Sequence, residues 1–153
     1  MNLKADPNEL TGKRVLAGLG ALSPATMTIV SFVEASNARQ AIERYLFDSA
    51  AGLSETTDGC MVTLSAVGGE GHLDLGARVA AARAQGFEQI KARIKRGQAD
   101  GDVPSSADVH ALARFVQCLQ NGMSILARDG ATRRELESVA ETGMLGWDAR
   151  VTP

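Results

Sequence analysis

The sequence is poor in the residues that build sheets, disulfide frameworks and membrane spans. Aromatic residues make up 4% of it, and Val, Ile, Thr and Tyr form no repeated alternating runs, which favours helices over strands. Its two cysteines, Cys60 and Cys118, are far apart and form no CxxC pair, a usage typical of reduced thiols in a cytosolic protein. No apolar run is long enough to span a membrane, and the first residues do not resemble a secretion signal. We therefore expect a cytoplasmic protein without membrane association.

Positive charge is not in excess either. The formal net charge is −2 and the pI is about 5.7. A protein that neutralises many phosphates carries a basic face, so we expect no direct nucleic-acid binding by this chain alone. One basic cluster is interleaved with Glu88 and apolar residues, a pattern typical of a solvated helix face. It consists of Lys91, Arg93, Lys95 and Arg96.

The residue types that carry catalysis or hold metals do not form a recognisable set. His72 and His110 have no Asp, Glu, Cys or His at a metal-binding spacing, and neither accompanies a nucleophile in a known motif. The glycine-rich stretch 68–71 lacks the Lys and Ser/Thr of a phosphate loop. Cys60 lies near the start of a predicted helix, so a reactive sensor thiol remains an alternative to simple packing. We predict no enzyme activity, no metal and no cofactor.

What the sequence does have is a helical period. A chain of 153 residues, 44% of them hydrophobic, supports one core, so we predict a single all-α helical bundle. Residues 1–36 are expected to form an irregular N-terminal arm with one short helix, and residues 37–150 the helical domain. Apolar residues at intervals of three and four, together with capping residues, predict the helices. They run over about 24–35, 37–52, 60–67, 73–98, 104–129 and 132–150.

The predicted helix over 104–129 carries two apolar stripes instead of one. The first consists of Val109, Leu112, Val116, Leu119, Met123 and Leu126. The second, rotated by roughly a quarter-turn or more at about 100° per residue, consists of Ala111, Phe115, Cys118, Gly122 and Ile125. A helix with two apolar sides has to be covered twice. We expect the domain's own core on one side and a second subunit on the other.

The last predicted helix begins at a capping box, Thr132-Arg133-Arg134-Glu135. Its apolar stripe includes Leu136, Val139, Gly143 and Trp147. Two consecutive long antiparallel helices make half of a four-helix bundle, and a two-fold-related copy supplies the other half. We therefore predict a homodimer through the last two helices. The predicted interface residues are Ala111, Phe115, Cys118, Gly122, Ile125, Leu136, Val139, Gly143 and Trp147.

Several short segments, in this order and spacing, resemble the C-terminal domain of TetR-family transcriptional regulators over roughly residues 37–150. They are Gly59-Cys60-Met61, Arg96-Gly97-Gln98, Gly101-Asp102-Val103-Pro104, Ala107-Asp108, Ala127-Arg128-Asp129-Gly130-Ala131 and Arg134-Glu135-Leu136. In that family an N-terminal helix-turn-helix domain binds operator DNA, while the C-terminal helices bind a small-molecule inducer and dimerise. The resemblance thus implies a ligand-binding and dimerisation domain.

The sequence departs from the family pattern in residues 1–36, which show no basic, aromatic recognition helix. We therefore expect this chain to lack the helix-turn-helix; a truncated chain, an altered start and a stand-alone effector module all fit this pattern. If there is an inducer pocket, it is expected between the predicted helices at 60–67, 73–98 and 104–129. A small apolar or amphipathic ligand would suit it. Its predicted wall residues are Cys60, Met61, Leu64, Phe87, Ile90, Val116, Leu119 and Met123.

The function that these observations predict is an effector-binding and dimerisation module of a TetR-like regulator. Two alternatives belong to other classes. A purely structural helical homodimer would have the same stripes and a filled interior. A small all-α enzyme would need a convergent set of titratable residues, which the sequence does not offer.

Overall fold

The computed structural model describes residues 35–55 and 73–151. These residues form four α-helices and contain no β-strand, which confirms the predicted all-α class. The helices are α1 (Ala38–Ser54), α2 (Leu73–Asp100), α3 (Val109–Arg128) and α4 (Arg133–Val151). The helices predicted at 24–35 and 60–67 lie outside the described residues, apart from Ala35, which is not helical.

Local capping explains where these helices begin. Asn37 precedes α1, and its Oδ1 accepts a hydrogen bond of 2.8 Å from the backbone N–H of Gln40. Asp108 does the same for α3, because its Oδ1 lies 3.0 Å from the backbone nitrogen of Ala111. Both arrangements satisfy an N–H group that has no partner within its own helix.

Helix α3 starts later than the sequence indicated. Ser105 and Ser106 can also cap a helix, but residues 104–107 form a turn in which the N–H of Ala107 donates to the carbonyl of Pro104 at 3.0 Å. The Gln98 side chain from α2 holds this turn, with its Nε2 2.9 Å from the carbonyl oxygen of Pro104 and 3.0 Å from that of Ala107. A contact from another helix thus decides between two local start signals.

The predicted capping box at the start of α4 is confirmed. The backbone N–H of Thr132 donates to the Glu135 carboxylate at 2.7 Å, and the N–H of Glu135 donates back to Thr132 Oγ1 at 3.3 Å. The Thr132 hydroxyl also donates to this carboxylate, at 2.7 Å. These hydrogen bonds, from the side chain first and then the backbone of Thr132, hold the pKa of Glu135 below its ordinary value.

The core lies where α1 and α3 meet the other helices, because each of them packs against all three of its neighbours. Its largest fully buried side chain is Trp147 of α4. On the surface, the Arg39 guanidinium of α1 forms two hydrogen bonds, of 2.8 and 2.9 Å, to the Asp148 carboxylate of α4. The fully buried members of the core include Ile42, Leu46, Ile94, Val116, Met123, Leu136 and Trp147.

The segment 97–103, at the end of α2 and the start of the loop that leads to α3, packs against the first residue of α1. A side chain at Gly97 would come within 2.6 Å of the Ala38 Cβ, so only glycine permits this close approach. Gly101 reverses the chain with a φ of +84°, and the N–H groups of Asp102 and Val103 donate to the Gly97 carbonyl at 2.9 and 3.1 Å. The Asp102 carboxylate then accepts a hydrogen bond from the N–H of Ala38 at 2.5 Å.

Candidate functional site

The large hydrophobic side chains that remain exposed are concentrated on two helices. Among the described residues they are Phe115, Ile125 and Leu126 of α3 and Leu145 of α4, with exposed fractions of 37, 48, 43 and 71%. We call the exposed sides of α3 and α4 that carry these residues the α3–α4 face. Ala111 and Cys118 of the second stripe are also exposed, and Gly122 is half-buried. Thus the structure places the whole second stripe away from the core of the chain.

Two glycines on these helices have different neighbours. A side chain at Gly143 would overlap the Leu119 Cδ1 of α3, so the contact between α3 and α4 accounts for this glycine. A side chain at Gly122 would have nothing within 4 Å in the described part of the chain beyond its own helical turn. Packing within the described chain therefore gives no reason for glycine at position 122.

Three of the predicted interface residues are enclosed within the chain. Leu136 and Trp147 are 0 and 1% exposed, and Gly143 is buried against Leu119. Val139 is partly buried against the same core. The side of α4 that carries this stripe packs against α1 and α3, so Leu136, Gly143 and Trp147 leave no surface for a partner. The apolar stripe that periodicity identified on α4 is therefore covered mainly by helices of the same chain.

The predicted pocket residues that the structure describes belong to the core. Val116 and Met123 are fully buried, Phe87 and Ile90 are 5 and 3% exposed, and Leu119 packs against them from a partly buried position. Cys60, Met61 and Leu64 lie outside the described residues. Of the predicted wall residues, Phe87 lines a concavity between two of the described helices.

This concavity is a groove between α2 and α3 with a volume of about 500 Å³. We call it the α2–α3 groove. Its lining is mostly polar and basic, with two exposed alanines, and includes His110, for which the sequence predicted neither a metal-binding nor a catalytic role. The lining residues are Ala80, Arg83, Ala84, Phe87, Glu88, Lys91, His110, Arg114, Gln117 and Asn121.

Aromatic and cationic contacts fix the centre of the α2–α3 groove. The Arg114 guanidinium carbon lies 3.8 Å from the centroid of the Phe87 ring, within the range of a cation–π contact. The His110 ring meets the same ring edge-on at 5.1 Å. Arg114 Nη1 donates to Gln117 Oε1 at 2.8 Å, and Gln117 Nε2 donates to the Arg83 carbonyl at 3.1 Å. Side chains of α3 therefore contact both the Phe87 ring and the backbone of α2.

Positive charge exceeds negative charge in this groove. The Lys91 Nζ lies 2.8 and 2.9 Å from the two carboxylate oxygens of Glu88. This hydrogen bonding lowers the pKa of Glu88, and the charges of Lys91, Lys95 and His110 act in the same direction. Arg83 and Arg114 add two further cations to the lining, which has one carboxylate.

Arg93 has an unusual environment for an arginine. It is 6% exposed, and its Nη2 donates to the carbonyl oxygen of Ala35 at 3.2 Å. Its Nε and Nη1 are buried and have no hydrogen-bond partner among the described residues. The predicted solvated face is therefore wrong at this position, because Arg93 points towards the residues that precede α1. Lys95 and Arg96 of the same cluster are exposed.

The described ranges, 35–55 and 73–151, contain no group of three or more His, Cys, Asp or Glu residues placed to hold a metal ion. None of their helices combines the length and the apolar character needed to cross a membrane.

Comparison with known proteins gives one curated relative. No family model matches the chain. The HTH-type transcriptional repressor ComR of Escherichia coli (strain K12) is 44% identical over 50 residues, which are 33% of this chain. The match spans about a quarter of the length of the repressor, 24%.

Solved structures match far more of the chain. A cysteine mutant of the TetR family regulator CifR, complexed with 26-bp double-strand operator DNA, gives a TM-score of 0.78 at 25% identity and covers 93% of this chain and 75% of its own. A second CifR mutant in complex with operator DNA gives a TM-score of 0.74 at 25% identity and covers 88% of this chain and 69% of its own. A TetR regulator from Rhodococcus sp. RHA1 gives a TM-score of 0.71 at 24% identity and covers 92% of this chain and 81% of its own. The resemblance predicted from the sequence is therefore confirmed: over most of its length, this chain is similar in fold to TetR-family transcriptional regulators.

Proposed function

We propose that this chain is the dimerisation and effector-binding part of a TetR-like transcriptional regulator, with the helical domain over residues 37–150. The observation that carries the proposal is the α3–α4 face. All four exposed large hydrophobic side chains of the described residues lie on these two helices. Large exposed apolar side chains that are confined to two neighbouring helices are typical of an interaction site.

A second copy of the chain is the partner that this surface fits. Helices α3 and α4 are consecutive and pack against each other, so two copies can align them as a four-helix bundle. In such a two-fold interface the same apolar residues face each other across the axis. The glycine at position 122, which has no steric explanation within the described chain, would let the α3 helices of two subunits approach closely.

The effector-binding part of the proposal is supported by the fold and by the α2–α3 groove. The CifR mutants are complexed with operator DNA, and their fold matches that of this chain. In a dimeric regulator the distance between two DNA-reading heads has to match the spacing of the half-sites. A ligand that shifts the helices of the dimer would change that distance. We keep the expectation that residues 1–36 of this chain bind no DNA by themselves.

Sedimentation velocity of the full chain at micromolar concentration tests the dimer. We expect the wild type to sediment as a dimer and the Ile125→Glu variant as a monomer, because this substitution places a charge in the centre of the proposed interface. The matched control is Ala92→Glu, which adds the same charge at an exposed position of α2. A monomeric wild type, or an Ile125→Glu variant that still dimerises, would contradict the proposal.

A purely structural homodimer is the second candidate. The full burial of Val116 and Met123 favours it, since both were predicted to line a pocket and both are instead packed in the core. Such a protein would dimerise in the same way but would bind no small molecule. Ligand binding therefore separates the two functions, and dimerisation does not.

A further inference from the structure

The α2–α3 groove differs in chemistry from the apolar pocket that the sequence predicted. We infer that it binds a small organic carboxylate with an apolar body, such as an aromatic acid. This inference rests on the proposed effector-binding function and names the class of effector.

The charge of the groove selects for an anion. Its lining has three cationic side chains against the single carboxylate of Glu88, while the whole chain has a net charge of −2. Glu88 is itself occupied by a hydrogen-bonded ion pair with Lys91. An incoming anion would therefore meet a locally positive surface on an acidic protein, which attracts it and disfavours a cation.

The Arg114 guanidinium has the geometry that recognises a carboxylate. It lies over the Phe87 ring, and within the described ranges its one hydrogen bond is the bond to Gln117. A guanidinium has five N–H donors, arranged as a planar fork that matches the two oxygens of a carboxylate. Because the ring and Gln117 already hold Arg114 in place, binding would cost little further side-chain entropy.

The apolar part of the lining and the size of the groove favour an organic acid over a bare inorganic anion. The exposed methyl groups of Ala80 and Ala84 and the ring of Phe87 belong to the lining, beside the amides of Gln117 and Asn121. The volume of about 500 Å³ is in the range of pockets that hold small organic ligands. An inorganic phosphate would leave these apolar groups uncovered, whereas a ring attached to a carboxylate would cover them.

Binding of 2-naphthoate and of its neutral analogue 2-naphthamide to the full chain tests the inference. Isothermal titration gives the affinities, and amide chemical-shift changes locate the site. We expect 2-naphthoate to bind with shifts confined to residues of α2 and α3 around Arg114, and 2-naphthamide to bind at least about tenfold more weakly, since a hydrogen bond to a charged group is lost. Arg114→Gln should weaken naphthoate binding by a similar factor. The matched control, Arg150→Gln, changes an exposed arginine of α4 that is not part of the lining, and should leave the affinity unchanged.

Equal affinity for acid and amide, no effect of Arg114→Gln, or shifts elsewhere in the chain would each overturn the carboxylate site. If the amide binds with shifts among the core residues, effector binding survives and the carboxylate site fails. If neither probe binds, the carboxylate site fails for this class of acid, while the dimer is judged separately by sedimentation. The neutral probe keeps the test valid even if a variant folds poorly.

Discussion

Arg93 carries a permanent positive charge into the protein interior. Its one hydrogen bond in the described chain goes to the Ala35 carbonyl, and two of its nitrogen atoms are left without a partner. Buried donors that lack partners are rare and reduce stability.

We predict that Arg93→Met raises the free energy of unfolding by about 1 kcal/mol, because methionine keeps the apolar stem and removes two buried donors that have no partner among the described residues. Urea unfolding followed by the fluorescence of Trp147, the single tryptophan, measures this change. The control is Arg96→Met, which changes an exposed arginine three residues further along α2. It should change the free energy of unfolding by less than about 0.5 kcal/mol. A loss of stability at position 93 would show that the charge has a compensating anion.

At the scale of helices, substitutions of Gly143 and Gly122 distinguish packing within one chain from packing between two chains. Gly143→Ala should lower the free energy of unfolding by about 1–3 kcal/mol, because the new methyl group overlaps Leu119. Gly122→Ala meets no neighbour in the described chain, so the higher helix propensity of alanine should stabilise a monomer by up to about 1 kcal/mol. Under the proposed dimer, the same Gly122→Ala change should weaken self-association.

Chemical denaturation measures the first two effects and sedimentation the third. Both measurements should also be made on the double variant Gly122→Ala, Ile125→Glu. Because this variant is expected to be monomeric, its free energy of unfolding reports the effect of Gly122→Ala without a contribution from dimerisation. A Gly122→Ala variant that dimerises as tightly as the wild type would contradict close approach of two α3 helices at this position.

The helices could be predicted from the sequence where their signals are local. Asn37 and the box from Thr132 to Glu135 cap helices through residues three positions away, which sequence spacing records directly. The start of α3 could not be predicted in this way. The turn before Asp108 is held by Gln98, and this contact joins two helices.

The candidate site was predictable only in part. The residues of the second stripe of α3 share one side of the helix away from the core, as the helical period predicts. The period does not state what covers that side, and so Leu136 and Trp147 were assigned to a partner although α1 and α3 cover them. The groove was missed because its two walls come from different helices. Its signal in the sequence was the polar spacing of His110, Arg114, Gln117 and Asn121 along α3.

At the scale of the whole molecule, a dimer that unfolds to monomers is stabilised by its own concentration. We predict that the Tm of the wild type rises by about 1–3 °C for each tenfold increase in protein concentration, because mass action favours the associated native state. Calorimetry at low and high micromolar concentration measures this shift.

The Ile125→Glu variant should have a Tm that does not depend on concentration, and Ala92→Glu should behave as the wild type does. A wild-type Tm that stays constant over the range would mean that folding and association are independent, which contradicts an interface built from the α3–α4 face.

The contact between Asp102 and Ala38 links the loop between the two groove helices to the first turn of α1. Helices α2 and α3 are the two walls of the groove, and the loop that joins them supplies the carboxylate that holds the first turn of α1. Gly97 keeps this loop and α1 in direct contact, and Arg93 of the same wall holds the Ala35 carbonyl. Through these contacts the first turn of α1 is connected directly to the end of α2 and to the loop between the two walls of the groove.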